Sequence, residues 1–188
     1  MGACHSKKTV GWGSITESLI LDDYDAAGVA FITNTHMLVG YQPHKTQPSL
    51  TGIGGKREEG ETYIQTALRE AVEELFHVSH VDTRLLFRLA KACKPITTIV
   101  QDGYVIIVYD FHALEVFLQT VAKSDVDTSL YDEFPLNWSD LILNRRVHPM
   151  AEISHLSLIP LIHHNGTVPF VHHECIADLA QIKTAIST

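Results

Sequence analysis

The chain has 188 residues, 45% of them hydrophobic and 8% aromatic, and a formal net charge of −8. That length fits one domain on the usual scale of about 100–200 residues, with enough apolar mass for a core. The acidic balance argues against a protein that coats nucleic acid, because such binding needs clustered lysine and arginine to neutralise phosphates. Cys4, Cys93 and Cys175 are far apart, odd in number and without a C-x-x-C pair. They read as reduced thiols of a cytoplasmic protein rather than as a disulfide or zinc framework. No apolar run approaches the ~18–20 residues that span a bilayer.

The chain opens Met1-Gly2-Ala3-Cys4-His5-Ser6-Lys7-Lys8. This matches M-G-x-x-x-[ST], the pattern read by myristoyl transfer onto Gly2, with Cys4 as a second acylation position and two lysines for an anionic surface. Residues 1–20 are therefore read as a flexible segment with an acylation signal and a route to membrane association. Residues 27–32 and 37–41 are apolar and flank Thr33-Asn34-Thr35-His36, which predicts a hairpin. Residues 43–48 read as a loop, and a short strand at 50–53 delivers the chain to Gly54-Gly55.

A helix follows, entered through Thr62 as a cap, with Ile64, Leu68, Ala71, Val72 and Leu75 forming a core-facing stripe. Glu70, Glu73 and Glu74 stand at i, i+3 and i+4 on the other side, within an arc of roughly 100°. Three carboxylates that close repel one another, and a divalent cation held by oxygen ligands relieves that repulsion; magnesium or manganese suits such ligands better than zinc. Beyond the helix, residues 81–90 are expected as a strand. Residues 96–100 and 104–111 flank the turn signal Asp102-Gly103 and predict a second hairpin. Short helices are expected at 114–122 and 138–143, a strand at 156–162 and an amphipathic helix at 176–186.

Twelve histidines include His163-His164 and His172-His173, the latter followed by Glu174 and Cys175. If Asn165-Gly166 is a type I′ turn, His164 faces Thr167 and His172 faces Ile159, so the pairs do not meet. With Pro169 marking an edge strand, these histidines read as exposed or locally hydrogen-bonded.

The segment from Gly55 to Val78 resembles the signature of the Nudix hydrolases, G-x5-E-x7-R-E-U-x-E-E-x-G-U with U aliphatic. Gly55, Glu61, Arg69, Glu70, Ala71, Glu73 and Glu74 each fall on their position. The last glycine is missing: Phe76 replaces it and His77 takes the aliphatic position, so the helix is expected to run about one residue further or to end in a different cap. The resemblance implies an α/β/α sandwich with a mixed sheet, a central signature helix and a C-terminal helix, formed by residues 21–188 as a single domain.

It also implies roles. The Gly54 carbonyl, Glu70, Glu73 and Glu74 would ligate Mg2+ or Mn2+, Gly55 and Lys56 would line the cofactor-binding turn, and Arg69 would brace the loop through Glu61. The reaction implied is hydrolysis of a nucleoside diphosphate linked to another moiety, with a carboxylate taking the proton of the attacking water. Glu70 and a distal acid are the candidates for that base. Among the distal acids Glu133 is chosen over Asp132, Asp125 and Asp127, which stay open.

Pro95 lies near the place where relatives selective for ADP-ribose carry a proline, and Tyr104 lies late for the tyrosine of those selective for dinucleoside polyphosphates. A nucleotide sugar or dinucleotide is thus preferred, with a capped RNA or a nucleoside triphosphate as the alternative. Lys91, Lys94, Arg145 and Arg146 would supply a local phosphate patch. A silent nucleotide-binding module and a membrane-tethered adaptor are the readings from other classes. Family members are often dimers, so a homodimer is among the expected partners.

Overall fold

A computed structural model describes residues 24–161 and 170–187. The acylation reading on Gly2 and Cys4, the His163-His164 pair, the Asn165-Gly166 turn and Pro169 lie outside the described residues. The elements in chain order are β1 (Ala26–Ile32), β2 (His36–Gln42), β3 (Ser49–Thr51), β4 (Ile53–Lys56), α1 (Tyr63–Phe76), α2 (Thr83–Ala92), β5 (Thr97–Gln101), β6 (Tyr104–Asp110), α3 (Phe111–Ala122), α4 (Trp138–Leu143), β7 (His155–Pro160) and α5 (His173–Ile186).

Strand β1 organises the sheet. One edge runs parallel to β6 from Ala26↔Tyr104 to Ile32↔Asp110, and β5 closes that side antiparallel to β6. The other edge is divided: β4 pairs with Ala26–Val29, and β2 meets β1 only at Ile32↔Met37 before turning away to pair with β3 and β7. Strands β2 and β4 therefore diverge from a common neighbour. The gap between them receives the end of α1.

Helices α1, α2 and α3 cover one face of the sheet, where Phe31, Leu68, Leu75, Phe76, Leu89 and Phe117 are buried in the larger core. Helix α5 covers the other face through Cys175, Leu179 and Ile182, which pack on Ile32, Met37, Val39 and Ile106. This is the mixed α/β sandwich expected, with strands buried on both faces.

The hairpins follow their turn chemistry. The Thr33 hydroxyl accepts from the amides of Thr35 and His36, and Asp102 and Gly103 both take positive φ, 44° and 81°, as a tight two-residue turn requires. Helix α1 begins in a capping box: the Thr62 hydroxyl accepts from the Gln65 amide while the Gln65 side chain accepts from the Thr62 amide.

Two expectations are corrected. Residues 81–90 are not a strand; they enter α2. The Asp82 carboxylate accepts from the Arg84 amide as an N-cap, and Leu85, Leu86 and Leu89 are buried while Arg84, Phe87, Arg88 and Lys91 stay outside. The apolar cluster has helical spacing and is built from good helix formers, which outweighs its length. His172 does not face Ile159, which pairs with Met37 of β2. It is the N-cap residue of α5, and its amide donates to the Leu50 carbonyl.

The end of α1 also departs from the pattern. Phe76 is fully buried, its ring stacked on Phe134 at 4.8 Å and packed with Phe117 and Tyr131. The left-handed residue comes one position later, at His77 with φ 54° and ψ 52°. Phe76→Ala should cost about 3–5 kcal/mol in urea unfolding, the usual range for emptying a buried aromatic site. A change under about 1 kcal/mol would show that Phe76 is not a core residue.

Candidate metal centre

The site lies where α1 crosses the mouth of the β2–β4 gap. Glycines make the approach close. A Cβ on Gly55 would stand 2.5 Å from the Glu70 carboxylate, and one on Gly54 would strike the backbone of Gly28 in the paired strand at 2.5 Å. Gly55 thus lets the turn lie against the helix, and Gly54 lets β4 lie against β1.

Arg69 braces this arrangement. Its guanidinium, with the side chain only 8% exposed, donates from Nε and Nη2 to the Glu61 carboxylate at 2.7 and 3.1 Å, from Nη1 to Glu70 and Glu73 at 2.8 Å each, and from Nη2 to the Lys56 carbonyl at 2.8 Å. One planar cation thereby ties the loop, the β4 backbone and the helix together. Burial alone would push the Glu61 carboxyl up, but hydrogen bonds from Arg69, the loop backbone and Thr66 outweigh it and hold Glu61 below its ordinary value. Burial likewise works against the Arg69 charge, and the surrounding carboxylates more than restore it.

Glu74 points the other way, into the gap. It is 5% exposed; Oε2 accepts from the Gly54 amide at 3.0 Å and Oε1 from Gln42 Nε2 at 3.2 Å. The same Gln42 nitrogen donates to Glu152 Oε1 at 2.9 Å. Glu152 stands just before β7 and is exposed, so it offers a carboxylate reachable from solvent beside one that is not. Burial, reinforced by the negative charges of Glu152 and Glu70, raises the Glu74 carboxyl well above the usual carboxylate range. Burial also raises Glu70, where Arg69 lowers it only in part and Glu73 and Glu152 add repulsion.

The helix spacing predicted convergence of Glu70, Glu73 and Glu74. The structure divides them: Glu70 and Glu73 share Arg69, while Glu74 turns to Gln42 and Gly54. Among the described residues no three histidine, cysteine or acidic side chains already form a cation cage. The structure brings Gly54, Gly55, Lys56, Glu61 and Arg69 together around α1. Glu133 is exposed, and no contact joins it to the helix carboxylates among the described residues; its neighbour Asp132 pairs with Arg146. Glu152 and Gln42 escaped the sequence reading because each is remote in sequence and carries no pattern. Tyr104, weighed as a substrate residue, is instead half-buried against the α5-side core.

The donor set fits a hard divalent cation. Glu70, Glu74 and Glu152 repel one another around the gap, and Gln42 Oε1 is a buried oxygen without a hydrogen-bond partner. An ion bound by oxygen would relieve the repulsion and give the orphaned acceptor a neighbour.

Comparisons with known proteins bear on the same segment. A family model described as the NUDIX domain matches residues 23–127. No curated protein sequence matches the chain. Similar solved structures include the Nudix hydrolase RenU of M. smegmatis, at 15% identity and a TM-score of 0.46 over 88% of this chain and 87% of that one. A C. elegans Ap4A hydrolase binary complex has 11% identity and a TM-score of 0.41 over 86% and 98% of the two chains. A bifunctional NMN adenylyltransferase/ADP ribose pyrophosphatase from Francisella tularensis, complexed with AMP and a manganese ion, has 22% identity and a TM-score of 0.35 over 47% of this chain. The match spans only 27% of that longer protein.

The carboxylates generate a pH prediction. Glu70 and Glu74 have folded-state values above their unfolded ones, so the cation-free protein is favoured by their protonation and loses that stability as pH rises through the raised values. A cation binds the ionised forms and competes with those protons. The rise in melting temperature on adding Mg2+ or Mn2+ should therefore grow between about pH 5 and about pH 8. A shift that is flat or shrinks over this range would show that these carboxylates do not bind the ion.

Proposed function

The chain belongs to the Nudix family of pyrophosphohydrolases, and on that premise we propose that it hydrolyses the diphosphate of a nucleoside diphosphate linked to another moiety, with ADP-ribose, another nucleotide sugar or a dinucleotide as the preferred class. The observation that carries the reading is the carboxylate cluster braced by Arg69 at the mouth of the β2–β4 gap. Pro95 supports the ADP-ribose side of that class, and the net charge of −8 favours a small substrate over a capped RNA.

The Gly54 carbonyl, Glu70, Glu73 and Glu74 are the ligands proposed for Mg2+ or Mn2+, with Glu152 added to the set. When bound, such an ion neutralises the diphosphate and acidifies a water. The chain's own groups do the rest. Arg69 holds the Glu70 and Glu73 carboxylates at fixed distances, which is what positioning requires. Gln42 holds the Glu74 and Glu152 carboxylates with one nitrogen. Glu152, the exposed member, is proposed to take the proton of the attacking water at Oε2, the oxygen that Gln42 leaves free.

No helix among the described residues is long and apolar enough to cross a membrane. Membrane association through Gly2 and Cys4 rests on the sequence pattern, and an unmodified Gly2 in protein from a eukaryotic cell would remove it.

A panel of ADP-ribose, diadenosine polyphosphates, nucleoside triphosphates and capped RNA, assayed with Mg2+ and Mn2+, tests the activity. ADP-ribose or a related diphosphate should turn over fastest, and chelation should abolish it. Glu152→Gln should lower kcat by roughly 10²-fold or more while the protein stays folded, as loss of a general base does. Glu133→Gln should leave kcat within about twofold, since surface acids away from a site contribute little. Folded protein inert on every substrate would defeat the enzyme reading; the opposite order of the two variants would return the base to Glu133.

A further inference from the structure

The final glycine of the family signature is absent, yet the helix ends where the site needs it to. Phe76 belongs to the core, and the left-handed turn falls on His77, which lacks glycine's freedom to adopt it. The last carbonyls of α1 meet a side chain from far along the chain. Arg145 lies just after α4, and its Nη2 donates to the carbonyls of Glu74 at 3.0 Å and Ile153 at 2.8 Å. Its Nη1 donates to the Leu75 carbonyl and to the Tyr131 hydroxyl at 3.1 Å.

A cation at a helix C-terminus is favourable in its own right, because the carbonyls there carry partial negative charge and lack helical partners. Two of the acceptors make Arg145 more than a cap. Glu74 carries the buried carboxylate of the site, and Ile153 directly follows Glu152. These same two acids are joined at their side chains by Gln42 Nε2. The helix and the segment before β7 are thus tied twice, once through the backbone by Arg145 and once through the carboxylates by Gln42. The fork of a guanidinium is needed for the first tie, since a lysine ammonium presents no rigid fan of donors.

We propose that Arg145 is a positioning residue for the hydrolysis: it ends α1 in place of the missing glycine and holds the Glu152 segment at a set distance from Glu74. This rests on the assignment of Glu74 and Glu152 to the site made above. A guanidinium that only capped the helix would be replaceable by any other cap. One that also positions Glu152 is not.

Arg145→Met keeps the apolar stem and removes every donor, while His77→Gly supplies a left-handed cap that needs no guanidinium. Arg145→Met should lower the melting temperature and reduce kcat by roughly 10- to 100-fold, with KM changed less than about threefold. In the double variant with His77→Gly, melting temperature and amide-exchange protection in the last turn of α1 should recover, while kcat and the protection of residues 151–154 stay low. Arg145→Lys, which keeps the charge, should remain folded and show the same separation in smaller measure. Recovery of kcat together with stability in the double variant would overturn the proposal, as would wild-type turnover and wild-type protection at 151–154 in Arg145→Lys. If the hydrolase reading itself fails, the wild-type protein is inert, and exchange at 151–154 still decides whether Arg145 holds that segment.

Discussion

A buried carboxylate held between two diverging strands is the constraint around which the site is arranged. Glu74 reaches into the gap that opens because β1 shares one edge between β4 and β2, and it takes the Gly54 amide and the Gln42 amide group as its donors. A carboxylate this dry, with Glu70 and Glu152 close enough to repel it, is costly to ionise. The hydrogen bonds to the Glu74 carboxylate come from neutral amides, while the buried Arg69 guanidinium pairs with Glu61, Glu70 and Glu73, and the positive charge of Lys45 offsets the burial of Glu74 only in part. The unbalanced charge on the Glu74 side is what a divalent ion would answer.

The division of labour among the glutamates follows from that placement. Spacing in sequence put Glu70, Glu73 and Glu74 on one side of a helix, but a helix side about 100° wide can face two partners at once. Here one part faces the loop and its arginine, and the other faces the strands. The acids whose negative charge is felt at Glu74 are Glu152, from a segment some eighty residues later that shares Gln42 with it, and Glu70, from the same helix. Glu152 comes near because β7 pairs with β2 over residues 155–160, which returns the chain to the strand that carries Gln42.

How much of this was legible in the sequence depends on how local each cause is. The Thr62 cap and the hydrophobic stripe of α1 follow from spacings inside one element, whereas the Arg69–Glu61 pair was implied only by the family signature, and the structure forms it at 2.7 Å. Residues 81–90 form a helix rather than the expected strand because Leu85, Leu86 and Leu89 recur at helical spacing behind the Asp82 cap, two signals that outweigh the shortness of the apolar run. Gln42 and Glu152 act only through contacts made by folding, and no local pattern marks them; Arg145 and Arg146, expected in a phosphate patch, instead turn to the Glu74, Leu75 and Ile153 carbonyls and to Asp132. The missing glycine was visible, and its consequence was not: Phe76 fills an aromatic cluster with Phe117, Tyr131 and Phe134, while Arg145 takes the carbonyls that a glycine-ended turn would have satisfied.

The β2–β4 gap is proposed as a cation site built from these carboxylates. Anomalous diffraction at the manganese absorption edge, from crystals of the protein grown with Mn2+, measures it directly. A peak is expected within coordinating distance of Glu74 and at least one of Glu70 and Glu152, lost in crystals of Glu74→Gln. A gap with no manganese in well-ordered crystals, or an ion bound only at surface histidines, would contradict it.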